Sequence, residues 1–190
     1  QLPPALMSLN SCLKLNPAVA YPTLTWDLTV AIAFRMVQRG YIRHAIATLL
    51  AFDCFLRVGE LVNLRRADVA TTNDARMGSE FNGTALRLRQ TKTGPNQWVQ
   101  VDDKDVEQLL HLVADATPGA QSMLFPFSAN QYRSVFKSTC ASLGLSSSYV
   151  PHSLRHGGAT RWHLLNKSIE DILLRGRWAS RKSARRYVQA

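Results

Sequence analysis

The segment PHSLRHGGATRW, residues 151–162, sets His152, Arg155 and His156 at i, i+3 and i+4. On a helix that spacing places three side chains on one face. A metal site, a structural network and a phosphate clamp all use such a face. An i, i+4 histidine pair opens many zinc helices, but here the glutamate of HExxH is missing and no third ligand stands at useful spacing. Arg155 would also repel a divalent cation, so no metal is expected. A magnesium-dependent nuclease needs converging carboxylates. The one dense acidic cluster, Asp102, Asp103, Asp105 and Glu107, opens a helix, where the macrodipole accounts for it. A phosphate clamp would draw on further cations and a nucleophile: Arg57 in LRVGEL, Lys92 in TKTG, and Tyr187 in GRWASRKSARRYV.

The elements that carry these residues can be read from periodicity and caps. Residues 1–23 contain four prolines and weak periodicity, as a linker would. Thr25 can cap a helix with Trp26, Val30, Ala33 and Val37 on its inner stripe and Gly40 just past its end. A second helix, with Tyr41, Ala45, Leu49, Phe52 and Leu56 on one stripe, is expected to run into LRVGELVNL. The polar stretch 71–83 is a loop. TALRLRQ and QWVQV alternate with period two and form a hairpin around TKTGPN, with Lys92 near its tip. Asp102 or Asp103 caps a helix bearing Val106, Leu109, Leu110 and Val113, which Pro118 and Gly119 end. Ser128 and Gln131 form a capping box before Val135, Phe136 and Cys140, with a stop at Gly144. Pro151 suits the first turn of the next helix, with Leu154, Gly158, Trp162 and Leu165 inward. Ser168 and Ser180 cap two short helices, the last leading to Tyr187. The expected fold class is mainly α with a small antiparallel sheet (α+β).

Composition narrows the partner. The 190 residues carry 23 Lys+Arg against 13 Asp+Glu, a net charge of +10. The excess gathers between Arg155 and Arg186, where nine basic residues face only Glu170 and Asp171. Such an excess suggests a polyanionic partner, nucleic acid among them, with a solvated basic face as the plainer reading. Cys12, Cys54 and Cys140 are odd in number and form no CxxC pair, as expected of reduced thiols in an intracellular protein. The apolar runs are too short to span a bilayer, and QLPPALMSLN lacks the layout of a signal peptide.

LRVGEL, TKTG, HSLRH, GRWAS and the late tyrosine stand in one order, with Trp178 nine residues before Tyr187. In that set the chain resembles the catalytic domain of the tyrosine recombinases, the phage integrase family, over roughly Thr23 to Val188. The wording VPHSLRHGGATRW with GRWAS is most similar to the DIRS-like retroelement enzymes of that family. The resemblance implies a catalytic domain over residues 24–190, with the family's amino-terminal clamp domain outside this chain. It implies cleavage and rejoining of double-stranded DNA through a 3′-phosphotyrosyl intermediate, without cofactor. By the same resemblance, Arg57 and Arg155 bind the nonbridging oxygens of the scissile phosphate and Lys92 protonates the 5′-oxygen leaving group. His152 contacts the phosphate or helps move the proton, Trp178 donates a positioning hydrogen bond, and Tyr187 is the nucleophile. Glu60 and His156 support the two arginines. Arg161, Arg177, Arg181, Lys182 and Arg185 are expected to contact DNA. Self-association as a tetramer on DNA is expected of the full-length protein, a monomer of this chain alone, and a nuclear location if the element is eukaryotic.

The chemistry is coherent on its own terms. Transesterification keeps the phosphodiester energy in the protein–DNA link, so neither ATP nor a metal is required. Fixed guanidinium groups match two phosphate oxygens at once and keep their charge. Losing one such donor costs on the order of 10²–10³ in rate. Taken singly, each residue has a plainer reading, Tyr187 as a surface tyrosine and Lys92 as a turn lysine. Two other functions share the basic surface: a DNA-binding remnant without activity, and relaxation of supercoils by type IB topoisomerase-like chemistry. Phe55 and Arg177 depart from the family pattern, standing where relatives often have glycine.

Overall fold

The computed structural model describes residues 21–188. Cys12 and most of the expected 1–23 linker lie outside the described residues; Tyr21 and Thr23 are within them, and Leu24 is buried in the core. Helix α1 (Trp26–Gln38) begins where Thr25 Oγ1 accepts from the Leu28 amide at 3.3 Å. It buries Thr29, Ile32, Ala33 and Met36, whereas Val30 and Val37, expected inward, are exposed. The segment WDLTVAIAFRMV is apolar around most of its circumference, so its period places a helix but does not choose its face.

Helix α2 (Ile42–Asp53) does not run into LRVGELVNL as the stripe suggested. It stops because Phe55 takes a left-handed conformation, φ 51°, and a short helix α3 (Val58–Val62) starts afresh with Arg57 at its N-cap. A left-handed conformation costs a residue with a side chain about 1–2 kcal/mol. The same conformation recurs at Arg177, φ 54°. Both of the sequence's departures from glycine therefore sit at positions whose backbone favours glycine.

The sheet is antiparallel in the order β1–β2–β3, from β1 (Val69–Ala70), β2 (Thr84–Thr91) and β3 (Gly94–Val101). The two-residue β1 shows no period and was not expected. The β2–β3 register runs from Thr84 opposite Val101 to Thr91 opposite Gly94, closing on a turn at Lys92 and Thr93. Leu86 and Leu88 face the core, while Arg87 and Arg89 face outward and share the buried Asp68 carboxylate at 3.1 and 2.8 Å.

The remaining helices are α4 (Lys104–Asp115), α5 (Ala129–Ser142), α6 (Pro151–Leu164), α7 (Ile169–Gly176) and α8 (Arg181–Arg185). Their N-caps are Asp103, Ser128, Val150, Ser168 and Ser180, and the Ser128–Gln131 capping box closes at 3.2 and 2.7 Å. Leu165, expected inward, lies just past α6 and is exposed.

Helix α6 is buried from Ser153 to Thr160. It lies so close to α2 that a Cβ on Gly158 would stand 2.2 Å from the Phe52 carbonyl oxygen and 2.5 Å from Phe55 Cδ1. Most of the apolar core fills the space between the helices and the sheet. A second, smaller cluster joins Phe55, Ala159, Ile172, Trp178 and Ala184, with Tyr187 and Val188 packed against it. This cluster seats the chain's last turn beside α6.

Candidate active site

A pocket of about 660 Å³ is lined by Arg57, Lys92, His152 and Tyr187, together with Tyr21, Arg133 and Lys137. The first four of these come from four separate parts of the chain. The N-cap of α3 supplies Arg57, whose Nη1 meets Glu60 Oε1 at 2.7 Å while its amide donates to Glu60 Oε2 at 2.8 Å. The β2–β3 turn supplies Lys92, exposed at its tip. The first turn of α6 supplies His152, and the segment after α8 supplies Tyr187. Residues 130 positions apart in sequence thus share one cationic wall.

Arg155, His156 and Trp178 form a layer behind the Tyr187 ring and do not line the pocket. The His156 ring stacks on Tyr187 with centroids 4.4 Å apart, and Trp178 lies 4.6 Å from it at a tilt. The Arg155 guanidinium carbon sits 4.5 Å from the Trp178 ring centre and 5.5 Å from that of Tyr187. Arg155 is wholly buried; its Nη1 donates to the Phe55 carbonyl and its Nη2 to the Gly176 carbonyl. Its Nε finds no acceptor among the described residues, nor do Trp178 Nε1 and Arg177 Nε, and His156 Nδ1 is likewise without a partner. Buried donors are almost always paired. Two of these unspent N–H groups, Arg155 Nε and Trp178 Nε1, belong to side chains packed on the Tyr187 ring, where an anion entering beside it would use them. Trp178 packs this tightly because Gly176 lies under its ring, where a Cβ would come within 1.7 Å of Cζ3.

Electrostatics set the protonation states. Burial, then the charges of His156, Arg155, Arg57 and Lys92, lower His152 to about 4. Burial and Arg155 lower His156 to about 4 as well. Both imidazoles are therefore neutral at pH 7, and His152 can accept a proton at the pocket wall. Burial pushes the Glu60 carboxyl up, but Arg177, the Arg57 amide, Arg155 and Arg57 together hold it below its ordinary value. One carboxylate thus serves three arginines. Burial, with Arg57 and Arg177, lowers Arg155, whose guanidinium still keeps its proton at neutral pH.

The expected DNA contacts divide. Arg177 is a correction: it is buried, and its guanidinium is bound to Glu60 and to main-chain carbonyls, so it presents no charge to the surface. Arg175, counted in the same basic run, is also buried, held by Asp53 and Asp102 at 3.3 and 3.2 Å. The 155–186 run is therefore less basic outside than its sequence suggests. Arg161 lies over the Trp26 ring, 4.0 Å from Asp103, in a different cleft. Arg181 pairs with Glu170, while Lys182 and Arg185 are exposed. Arg133 and Lys137 were missed; they stand at i, i+4 on α5 and reach the pocket. Their shared face was visible in NQYRSVFKS, but nothing in that segment said which way the face pointed. Among the described residues, no group of three His, Cys, Asp or Glu side chains is placed to hold a metal, and no helix is long and apolar enough to cross a membrane.

Comparison with known proteins adds family and fold. The phage integrase family matches residues 28–190. The structure is similar to that of XerA recombinase, with a TM-score of 0.71 at 17% identity over 92% of this chain and 61% of that one. A lambda integrase dimer bound to a COC′ core site gives 0.70 at 18% identity, over 92% of this chain and 49% of that one. The Tn1549 transposon integrase in complex with circular intermediate DNA gives 0.70 at 16%, over 98% and 70%. At these identities the likeness is one of fold. Curated protein sequences give no match.

Proposed function

The chain belongs to the phage integrase family of tyrosine recombinases, and we propose that it cleaves and rejoins duplex DNA through a covalent link to Tyr187. The observation that carries this is the convergence of Arg57, Lys92, His152 and Tyr187 on one pocket. A scissile phosphate seated there has the Arg57 fork for its nonbridging oxygens. Arg155 joins it once the Tyr187 ring turns toward the phosphorus, because that ring covers the guanidinium. The Tyr187 Oη attacks phosphorus and its proton passes to the neutral His152. The bond from phosphorus to the 5′-oxygen breaks, and Lys92 supplies the proton that oxygen takes up. The product is a 3′-phosphotyrosyl bond and a free 5′-hydroxyl. Attack by a 5′-hydroxyl reverses every step.

Arg133 and Lys137 extend positive charge along the pocket, and Lys182 and Arg185 add more near Tyr187. A DNA strand following that charge passes over the nucleophile. The sequence wording supports a mobile-element integrase of the DIRS-like kind, assembling on double-stranded DNA through the full-length protein.

Incubation with a nicked duplex that loses its 5′-hydroxyl fragment on cleavage tests the reading. The expected result is a protein–DNA adduct that survives denaturant and forms equally in EDTA. It disappears in Arg57→Ala and Arg155→Ala while their melting curves stay cooperative. Cleavage that yields only hydrolysed ends, or that stops in EDTA, contradicts it.

A further inference from the structure

Arg177 joins three parts of the candidate site. It closes α7 in a left-handed conformation, φ 54° and ψ 45°. Its side chain turns inward to the other left-handed turn. Nη1 donates to the Cys54 carbonyl at 3.3 Å and the Arg175 carbonyl at 2.8 Å. Nη2 donates to the Phe55 carbonyl at 3.0 Å and Glu60 Oε2 at 2.9 Å. Those two acceptors are the ones that hold the candidate phosphate-binding arginines. Glu60 grips Arg57 by side chain and amide, and the Phe55 carbonyl also accepts from Arg155. The third connection is through the backbone: Thr93 Oγ1 donates to the Arg177 carbonyl at 3.2 Å, tying down the turn that carries Lys92.

We propose that Arg177 is a positioning residue whose buried guanidinium fixes Glu60 and the Cys54–Phe55 turn, and through them Arg57 and Arg155. This rests on reading the pocket as a phosphate site. A guanidinium suits the task because its planar fork can bridge a carboxylate and carbonyls at once, which an ammonium cannot do in fixed geometry. Glycine would satisfy the backbone at both left-handed positions. An arginine at one of them, bound to the carbonyl of the other, locks the two turns together. The departures at Phe55 and Arg177 are then one feature. Because the group is buried, it acts on rate and leaves DNA affinity alone.

Arg177→Gly is the first test, since glycine keeps the left-handed backbone while the side chain and its guanidinium are removed. Single-turnover cleavage at saturating duplex DNA should fall on the order of 10²-fold, the scale of a small misplacement of catalytic groups. The DNA dissociation constant and its salt dependence should stay those of the parent. Arg177→Lys should recover only part of the rate. A substrate with a neutral methylphosphonate at the scissile position separates positioning from general loosening. It offers one fewer nonbridging oxygen, so the Arg177→Gly penalty should shrink on it if Arg57 and Arg155 are what has shifted. An equal penalty on both substrates overturns the proposal. So does a weakened dissociation constant with a shallower salt slope and unchanged saturated rate, the signature of a direct phosphate contact. If Arg177→Gly loses its cooperative melt, Arg177→Lys carries the same substrate comparison. Absence of any covalent adduct in the parent protein refutes the phosphate-site reading itself, a result distinct from either of these.

Discussion

Lys92 stands alone at the tip of a tight turn, and the acid role proposed for it has a sharp chemical consequence. A 5′-bridging sulfur leaves as a thiolate, whose conjugate acid is far stronger than an alcohol, so acid catalysis becomes largely unnecessary. Lys92→Ala should be slow on ordinary DNA and substantially restored on the sulfur-bridged substrate. Tyr187→Phe lacks the nucleophile and should be inactive on both. Restoration of His152→Ala instead of Lys92→Ala would move the acid from the hairpin to α6. At this scale the sequence named four of the residues that share the pocket, through the order in which their motifs stand, and missed Arg133 and Lys137. It misjudged Arg177, which reads as one more cation in a basic run. Whether an arginine is solvated or buried depends on acceptors such as Glu60 and the Phe55 carbonyl, more than a hundred residues away.

Elements position those residues through a few tight approaches. Helix α6 reaches α2 closely enough for Arg155 to grasp the Phe55 carbonyl only because Gly158 has no side chain at the crossing. Gly158→Ala should cost about 1–3 kcal/mol, the range for overpacking a filled interior. At this chain length that lowers the melting temperature by about 2–4 °C per kcal/mol. An unchanged melt would show that the two helices have slack there. The caps at Thr25, Asp103, Ser128, Ser168 and Ser180 were legible, since each is a local hydrogen bond written in adjacent residues. The break after α2 was not. The apolar stripe continues through Leu56, and a left-handed phenylalanine is held there by tertiary contacts, the hydrogen bonds to the Phe55 carbonyl and the packing of its ring.

Across the whole molecule, the imidazoles of half-buried His152 and buried His156 link stability to acid. His152 and His156 titrate near 4 in the fold and at about 6.5 in an unfolded chain. Between those values the unfolded chain binds more protons, so stability is fully present above about pH 6.5 and falls as the pH drops toward 4. Urea unfolding at pH 7.5 and pH 5 should show the loss, and the double variant His152→Asn/His156→Asn should flatten it. The same slope in the variant would assign the acid sensitivity elsewhere. The fold class was legible at this scale, because helical and alternating periods dominate the chain. The burial of Arg155, Arg175 and Arg177 was not, and it leaves less of the net charge of +10 on the surface than a count of residues implies.

The central claim is that Tyr187 becomes the covalent link to DNA, and peptide mapping of the trapped adduct tests it most directly. After digestion with protease and nuclease, mass spectrometry should find a residual 3′-nucleotide on the phenolic oxygen of Tyr187, and Tyr187→Phe should yield no adduct. A nucleotide on any other residue, or an undiminished adduct from Tyr187→Phe, would contradict the account.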